Sequence, residues 1–105
     1  MKKTFSYDKK NDILFVHMGF SSDEKFLTNI ESGNFIFDVS TKNAINGLEI
    51  FNASDYFENL NEAIDVEFTV NVKKTNIVVN LILKERNKVL NEKIIVSLED
   101  KILVS

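Results

Sequence analysis

Apolar and polar residues alternate with period two along most of this chain, the pattern of half-buried β-strands. Phe5-Ser6-Tyr7 opens the series and 13–18 returns it. Between them, 8–12 is a turn whose Asp and Asn side chains can bond the local backbone. Pairing Tyr7 with Leu14 and Phe5 with Val16 puts Phe5, Tyr7, Leu14, Val16 and Met18 on one face. Phe15 and His17 then point to the other. A polar loop, 19–24, leads to a third strand at 25–31. Ser32-Gly33-Asn34 is a tight turn with Gly33 at positive φ. A fourth strand, 35–40, is followed by a turn at 41–44 in which Asn43 tolerates the left-handed conformation.

The fifth strand, 45–51, is the one the others are built to pair with or cover. Placing Phe35, Phe37 and Val39 on the face of Leu48 and Ile50 sets Asp38 opposite Gly47 and Ile36 opposite Glu49. A slip of one residue would mix the faces. The second face then holds Ile36, Asp38, Ile45, Gly47, Glu49 and Phe51, too apolar for bare solvent, so a covering element is expected.

Beyond Ser54 the period changes. Tyr56, Phe57, Leu60 and Ile64 fall on one face of a short α-helix at 55–64, with Asp55 as its cap and Glu58 three residues on. Strict alternation resumes at 66–72 and 77–84. A charged turn at 86–92, a further strand at 93–98 and a terminal strand or tail at 101–104 complete the chain. The expected fold is therefore all-β, mainly antiparallel, with two sheets packed as a sandwich and one short α-helix. It is a single domain over 1–105: a β-meander core at 1–54, the helix at 55–64 and a C-terminal β extension at 65–105.

The chain of 105 residues is 44% apolar and 28% charged, ordinary for one globular domain. Nine Phe and no Trp make Phe the core filler, and without Pro the turns rest on Asn, Asp, Ser and Lys. The absence of Cys excludes a disulfide frame and a thiolate metal site. The start lacks the apolar run of a signal peptide, and no segment approaches a membrane span of about 20 apolar residues. A soluble cytoplasmic protein without membrane contact is expected. The net charge of −3 divides into −5 over 1–65 and +2 over 66–105. Lys73-Lys74 and Arg86-Asn87-Lys88 fall at turns, as solvated tips, so no nucleic-acid partner is expected.

Tyr7-Asp8 followed by Asp12, Leu14 and Val16, then Phe35-Ile36-Phe37-Asp38, then Gly47-Leu48-Glu49-Ile50 and Ala53-Ser54 occur in an order and spacing that resembles the domain-of-unknown-function family 2283. Asn43 stands where that family usually has Gly, and His17 where Arg is common. The C-terminal part is similar to the β-rich extension of longer members. The resemblance implies a small, mostly antiparallel β protein with no established activity and no accepted catalytic residues. Some members look like the second gene of two-gene modules whose other product resembles a toxin, which implies an antitoxin-like role as one alternative.

The sharpest candidate site is Asp38 with Glu49, diagonal neighbours roughly 7–8 Å apart by backbone position, with Gly47 between them leaving a notch. Two carboxylates beside a notch can bind a hard cation or share acid–base work. The structural alternative is that Glu49 pairs with a Lys or a backbone donor and Gly47 admits a packed Phe. His17, the single His, lies on the same face and can reach the notch as a base, but one imidazole without Cys or a second His is a poor metal site. Asx bonding accounts for Asp8 and Asp12. No Gly-rich phosphate loop, nucleophile elbow or Cys nucleophile is present. Neither a cofactor nor a bound metal is expected and no catalytic residue is assigned. The first reading is a non-catalytic protein-interaction module that forms a homo-oligomer, such as a dimer. The alternatives are an antitoxin-like protein that sequesters a small protein partner, and a cation or acid–base site at Asp38 and Glu49.

Overall fold

A computed structural model describes residues 2–98. The alternating segments form eight strands: β1 (Thr4–Asp8), β2 (Ile13–His17), β3 (Phe26–Ser32), β4 (Phe35–Ser40), β5 (Ile45–Phe51), β6 (Asp65–Val72), β7 (Asn76–Lys84) and β8 (Val89–Ser97). Every pairing is antiparallel. The first five build one sheet in the order β1-β2-β5-β4-β3, and the last three build another in the order β6-β7-β8. β5 is thus the central strand of the larger sheet, flanked by β2 and β4.

The expected registers are present: Tyr7 faces Leu14, Phe5 faces Val16, Ile36 faces Glu49 and Asp38 faces Gly47. The face that carries Leu14, Val16, Phe35, Phe37, Leu48 and Ile50 packs on Val66, Phe68, Ile77, Val79, Leu81, Leu83 and Val96 of the second sheet in one core. This is the two-sheet arrangement that alternation demands, since each sheet can bury only one face. Lys3 ties the layers at one edge: its Nζ lies 2.9 Å from Asp65 Oδ1 and 3.2 Å from Glu67 Oε2.

Several expectations need correction. No α-helix occurs over 55–64. Two 3₁₀ turns, Ala53–Asp55 and Leu60–Glu62, replace it, because Asn52 (φ 55°) and Asn59 (φ 56°) take the left-handed conformation and interrupt any continuous helix. Phe57 and Leu60 still reach the core, but Ile64 is 65% exposed, and its N–H donates to Lys84 O at 2.8 Å as the chain enters β6. Asp55 is no cap: it lies inside the first turn, and Asn52, at the cap position, makes no side-chain capping bond.

The charged turn is shorter than expected. Glu85 N–H donates to Lys88 O, and β8 begins at Val89, so 89–92 belong to a strand. On β5 the register shifts between Asp38 and Val39: Asp38 faces Gly47 but Val39 faces Ile45, leaving Asn46 as the extra residue of a bulge. The bulge turns Ile45 onto the core instead of the outer face. Met18, expected inside, lies past the end of β2 and is 37% exposed. The terminal strand expected at 101–104 lies outside the described residues. Among the described residues, no helix is long and apolar enough to cross a membrane.

Candidate functional site

Three adjacent strands bring His17, Gly47 and Asp38 into one row on the outer face of the larger sheet: His17 of β2 faces Gly47, and Gly47 faces Asp38 of β4. The notch expected beside Gly47 is occupied by Asp38 itself. A Cβ placed on Gly47 would stand 2.5 Å from Asp38 Oδ2 and 2.9 Å from Asp38 Cβ. The role of Gly47 is to let the Asp38 carboxylate lie across β5, and no Phe fills that space. Glu49, in the next row, stands between Phe15 and Ile36. It takes part in none of the ion pairs among the described residues.

His17 is buried, 3% exposed. Phe20, from the loop after β2, packs edge-on against its ring at 4.6 Å between centroids. The Gly19 N–H donates to His17 Nδ1 at 2.9 Å, so the neutral imidazole carries its proton on Nε2. Burial holds its pKa below the ordinary histidine value, against the opposing pull of the Asp38 and Glu24 charges. The ring is therefore neutral at pH 7 and serves as a packed corner of the sheet.

A polar cluster beside it was not foreseen. Ser40, wholly buried, donates its hydroxyl to Glu24 Oε2 and accepts from the Lys42 N–H at 3.1 Å. Asn46, the bulge residue, donates Nδ2 to Gly19 O at 2.8 Å, and its own carbonyl accepts from Met18 N–H. The Ser40 bond holds the Glu24 carboxyl below the usual carboxylate range, with the Ser21 amide adding to it. Seryl, carboxyl and imidazole groups are close here, yet Ser40 bonds the carboxylate and is shut from solvent. Its hydroxyl closes a turn and is not presented as a nucleophile. The outward alternation of Ile36, Asp38 and Ser40 was the one sequence cue, and it could not name Glu24 as the partner.

Asp8 and Asp12 divide in role. Asp8 bonds the turn locally, accepting from the Asn11 N–H at 3.1 Å and Nδ2 at 2.8 Å. Asp12, with φ 56°, accepts from Tyr7 Oη, from the Ser54 N–H at 3.0 Å and from Ser54 Oγ at 2.6 Å. The Ser54 bonds, followed by that from Tyr7, keep the Asp12 carboxyl below its ordinary pKa. The Tyr7–Asp12–Ser54 knot joins the first hairpin to the exit of β5.

The remaining outward positions form a coherent surface. Ile13 and Phe51 are cross-strand partners, and Phe15, Glu49 and Ile36 make the next row. These apolar residues are half-buried, while Leu14, Val16, Phe37, Leu48 and Ile50 on the same strands are fully buried. The cover expected for this face is not supplied by the second sheet, which packs on the opposite side. Two surface depressions, of about 500 and 320 Å³, lie around Lys88 and contain none of the expected site residues. No group of three or more His, Cys, Asp or Glu among the described residues is placed to hold a metal ion.

Residues 4–54 match the family described as "Protein of unknown function (DUF2283)". No curated protein and no solved structure matches the chain.

Proposed function

We propose that this DUF2283 protein is a non-catalytic protein-interaction module working in the cytoplasm. The observation that carries the reading is the outer face of the five-stranded sheet. It places Ile13, Phe15, Ile36 and Phe51 side by side, half-buried, on rigid central strands. Exposed contiguous apolar surface on a small protein marks an interaction site. An acid–base reading of Asp38 and Glu49 draws less support. Asp38 fills the space beside Gly47 that a reactant would need, and Glu49 is set between two apolar neighbours.

The antitoxin-like alternative is the same reading with a named kind of partner, a small protein held in a stable complex. The test is affinity capture from the native host with wild type, Phe15→Asp and a control substitution on the second sheet, Thr69→Asp. The expected result is a protein retained by wild type and the control and lost by Phe15→Asp. Equal capture by all three would refute the assignment to this face.

A further inference from the structure

The partner can be narrowed by chemistry, an inference that rests on the interaction reading above. Row by row, the outward positions of the larger sheet are Asp8–Ile13–Phe51, Ser6–Phe15–Glu49–Ile36–Glu31 and Thr4–His17–Gly47–Asp38–Asn29. None of these positions is Lys or Arg, and four are carboxylates: Asp8, Glu31, Asp38 and Glu49. Asp8, bonded to the Asn11 amides, keeps its charge at neutral pH. Of the cations near this sheet, Lys3 lies against Asp65 and Glu67 and Lys42 Nζ lies 2.7 Å from Asp23, while Lys9, Lys10 and Lys25 stand beyond the strand ends. Within the strands, the face is thus an apolar centre whose charged positions are all carboxylates.

We infer that the outer face of this sheet binds a short basic amphipathic segment of another protein, its apolar side chains on Phe15, Ile36 and Phe51 and its Lys or Arg residues on Glu31, Asp38 and Glu49. A second copy does not fit face to face, because it would set these carboxylates against their own kind. Size agrees. Five strands about 4.8 Å apart and roughly 17 Å long span ~300 Å², whereas a stable dimer interface takes about 800 Å² from each partner. An extended or helical segment is matched to that area and a globular copy is not.

Titration of the ¹⁵N-labelled full chain with synthetic capped peptides tests this. The probes are an alternating Lys/Leu peptide of about ten residues, enough to cross the face at ~3.3 Å per residue, and its Glu/Leu and Ser/Leu counterparts. The Lys/Leu peptide is expected to shift the amides of Phe15, Ile36, Glu49 and Phe51. Its affinity should fall by about tenfold or more as salt rises from about 50 to about 300 mM. Glu31→Gln with Glu49→Gln should weaken it by a similar factor. Should that double variant fail to fold, Glu31→Lys on the exposed edge strand should still weaken binding. Equal binding of the Glu/Leu peptide, or shifts confined to β6–β8, would overturn the inference. If the peptide fails while Phe15→Asp still abolishes capture from the host, the interaction reading stands and the basic partner falls. If Phe15→Asp leaves capture intact, the reading itself falls.

Discussion

The carboxylate of Asp12 accepts hydrogen bonds from both the amide and the hydroxyl of Ser54, 42 residues further along the chain. Tyr7 donates to the same carboxylate, and the Ala53 N–H donates to the Asp12 carbonyl at 3.1 Å. Four of the residues that carry the family resemblance, Tyr7, Asp12, Ala53 and Ser54, thus serve one structural knot.

Asp12→Ala is expected to lower the melting temperature by several degrees, and Ser54→Ala by less, because the Tyr7 bond survives it. The pH dependence follows from the two shifted groups. The Asp12 pKa is depressed in the fold, chiefly by Ser54, so its contribution is present above the unfolded carboxylate value of about 3.9 and is lost as pH falls through the folded value. The Tyr7 pKa is raised, chiefly by Asp12, so its contribution is present below about 10 and is lost as pH rises through the folded value. Thermal melts across both windows should show the two losses in wild type and their absence in Asp12→Ala. Identical pH profiles would contradict the knot.

Gly47→Ala should destabilise by about 1–3 kcal/mol, the usual cost of forcing an extra methyl into filled space. The new Cβ would meet Asp38 Oδ2 at 2.5 Å and its Cβ at 2.9 Å, so the clash is not relieved by moving the tip of the side chain alone. Pairing it with Asp38→Ala should recover part of the loss in a double-mutant cycle by chemical denaturation. Strict additivity of the two substitutions would mean that they do not share this space.

Truncation after Ile64 should expose the inner face of the larger sheet. It removes Val66, Phe68, Ile77, Val79, Leu81, Leu83 and Val96 from the shared core, each worth about 1.5–3 kcal/mol of burial. The expected product is insoluble or lacks a cooperative melt. A soluble 1–64 fragment with a sharp transition would show that the second sheet is an accessory.

Self-association should run through a strand edge. β8 is nine residues long, lies at the edge of the second sheet, pairs with β7 without a bulge, and exposes Val89 (56%) and Ile95 (65%). Glu92 and Lys93 are the charged residues on it, and there is no Pro to blunt it. Sedimentation at micromolar concentration should show a dimer that Ile95→Lys shifts toward monomer. A monomeric wild type would refute the homo-oligomer.

Added Ca²⁺ or Mg²⁺ should leave the melting temperature of wild type, Asp38→Asn and Glu49→Gln unchanged, since Asp38 and Glu49 stand in adjacent rows and no third carboxylate or imidazole among the described residues joins them around an ion. A metal-dependent rise in wild type that both variants lose would restore the cation site to first place.

Strand existence, pairing and register up to Asp38 were legible in the amino-acid order, because side-chain direction in a strand has period two and one face must be apolar. The same rule set Asp38 opposite Gly47 and His17 on their face, but it gave neither the pairing of His17 with Gly47 nor what fills the space beside it. A Gly in a strand says only that something comes close, and whether a Phe, a ligand or the neighbouring Asp does so depends on rotamers and packing. The 55–64 segment misled for a related reason. The spacing of Tyr56, Phe57 and Leu60 suits a helix face, yet two 3₁₀ turns broken at Asn59 deliver Phe57 and Leu60 to the core equally well. Alternation is local and is written in the chain itself. The Asn46 bulge, the Ser40–Glu24 bond and the Asp12–Ser54 knot join residues made neighbours only when the sheet is assembled, and so the tertiary structure alone decided them.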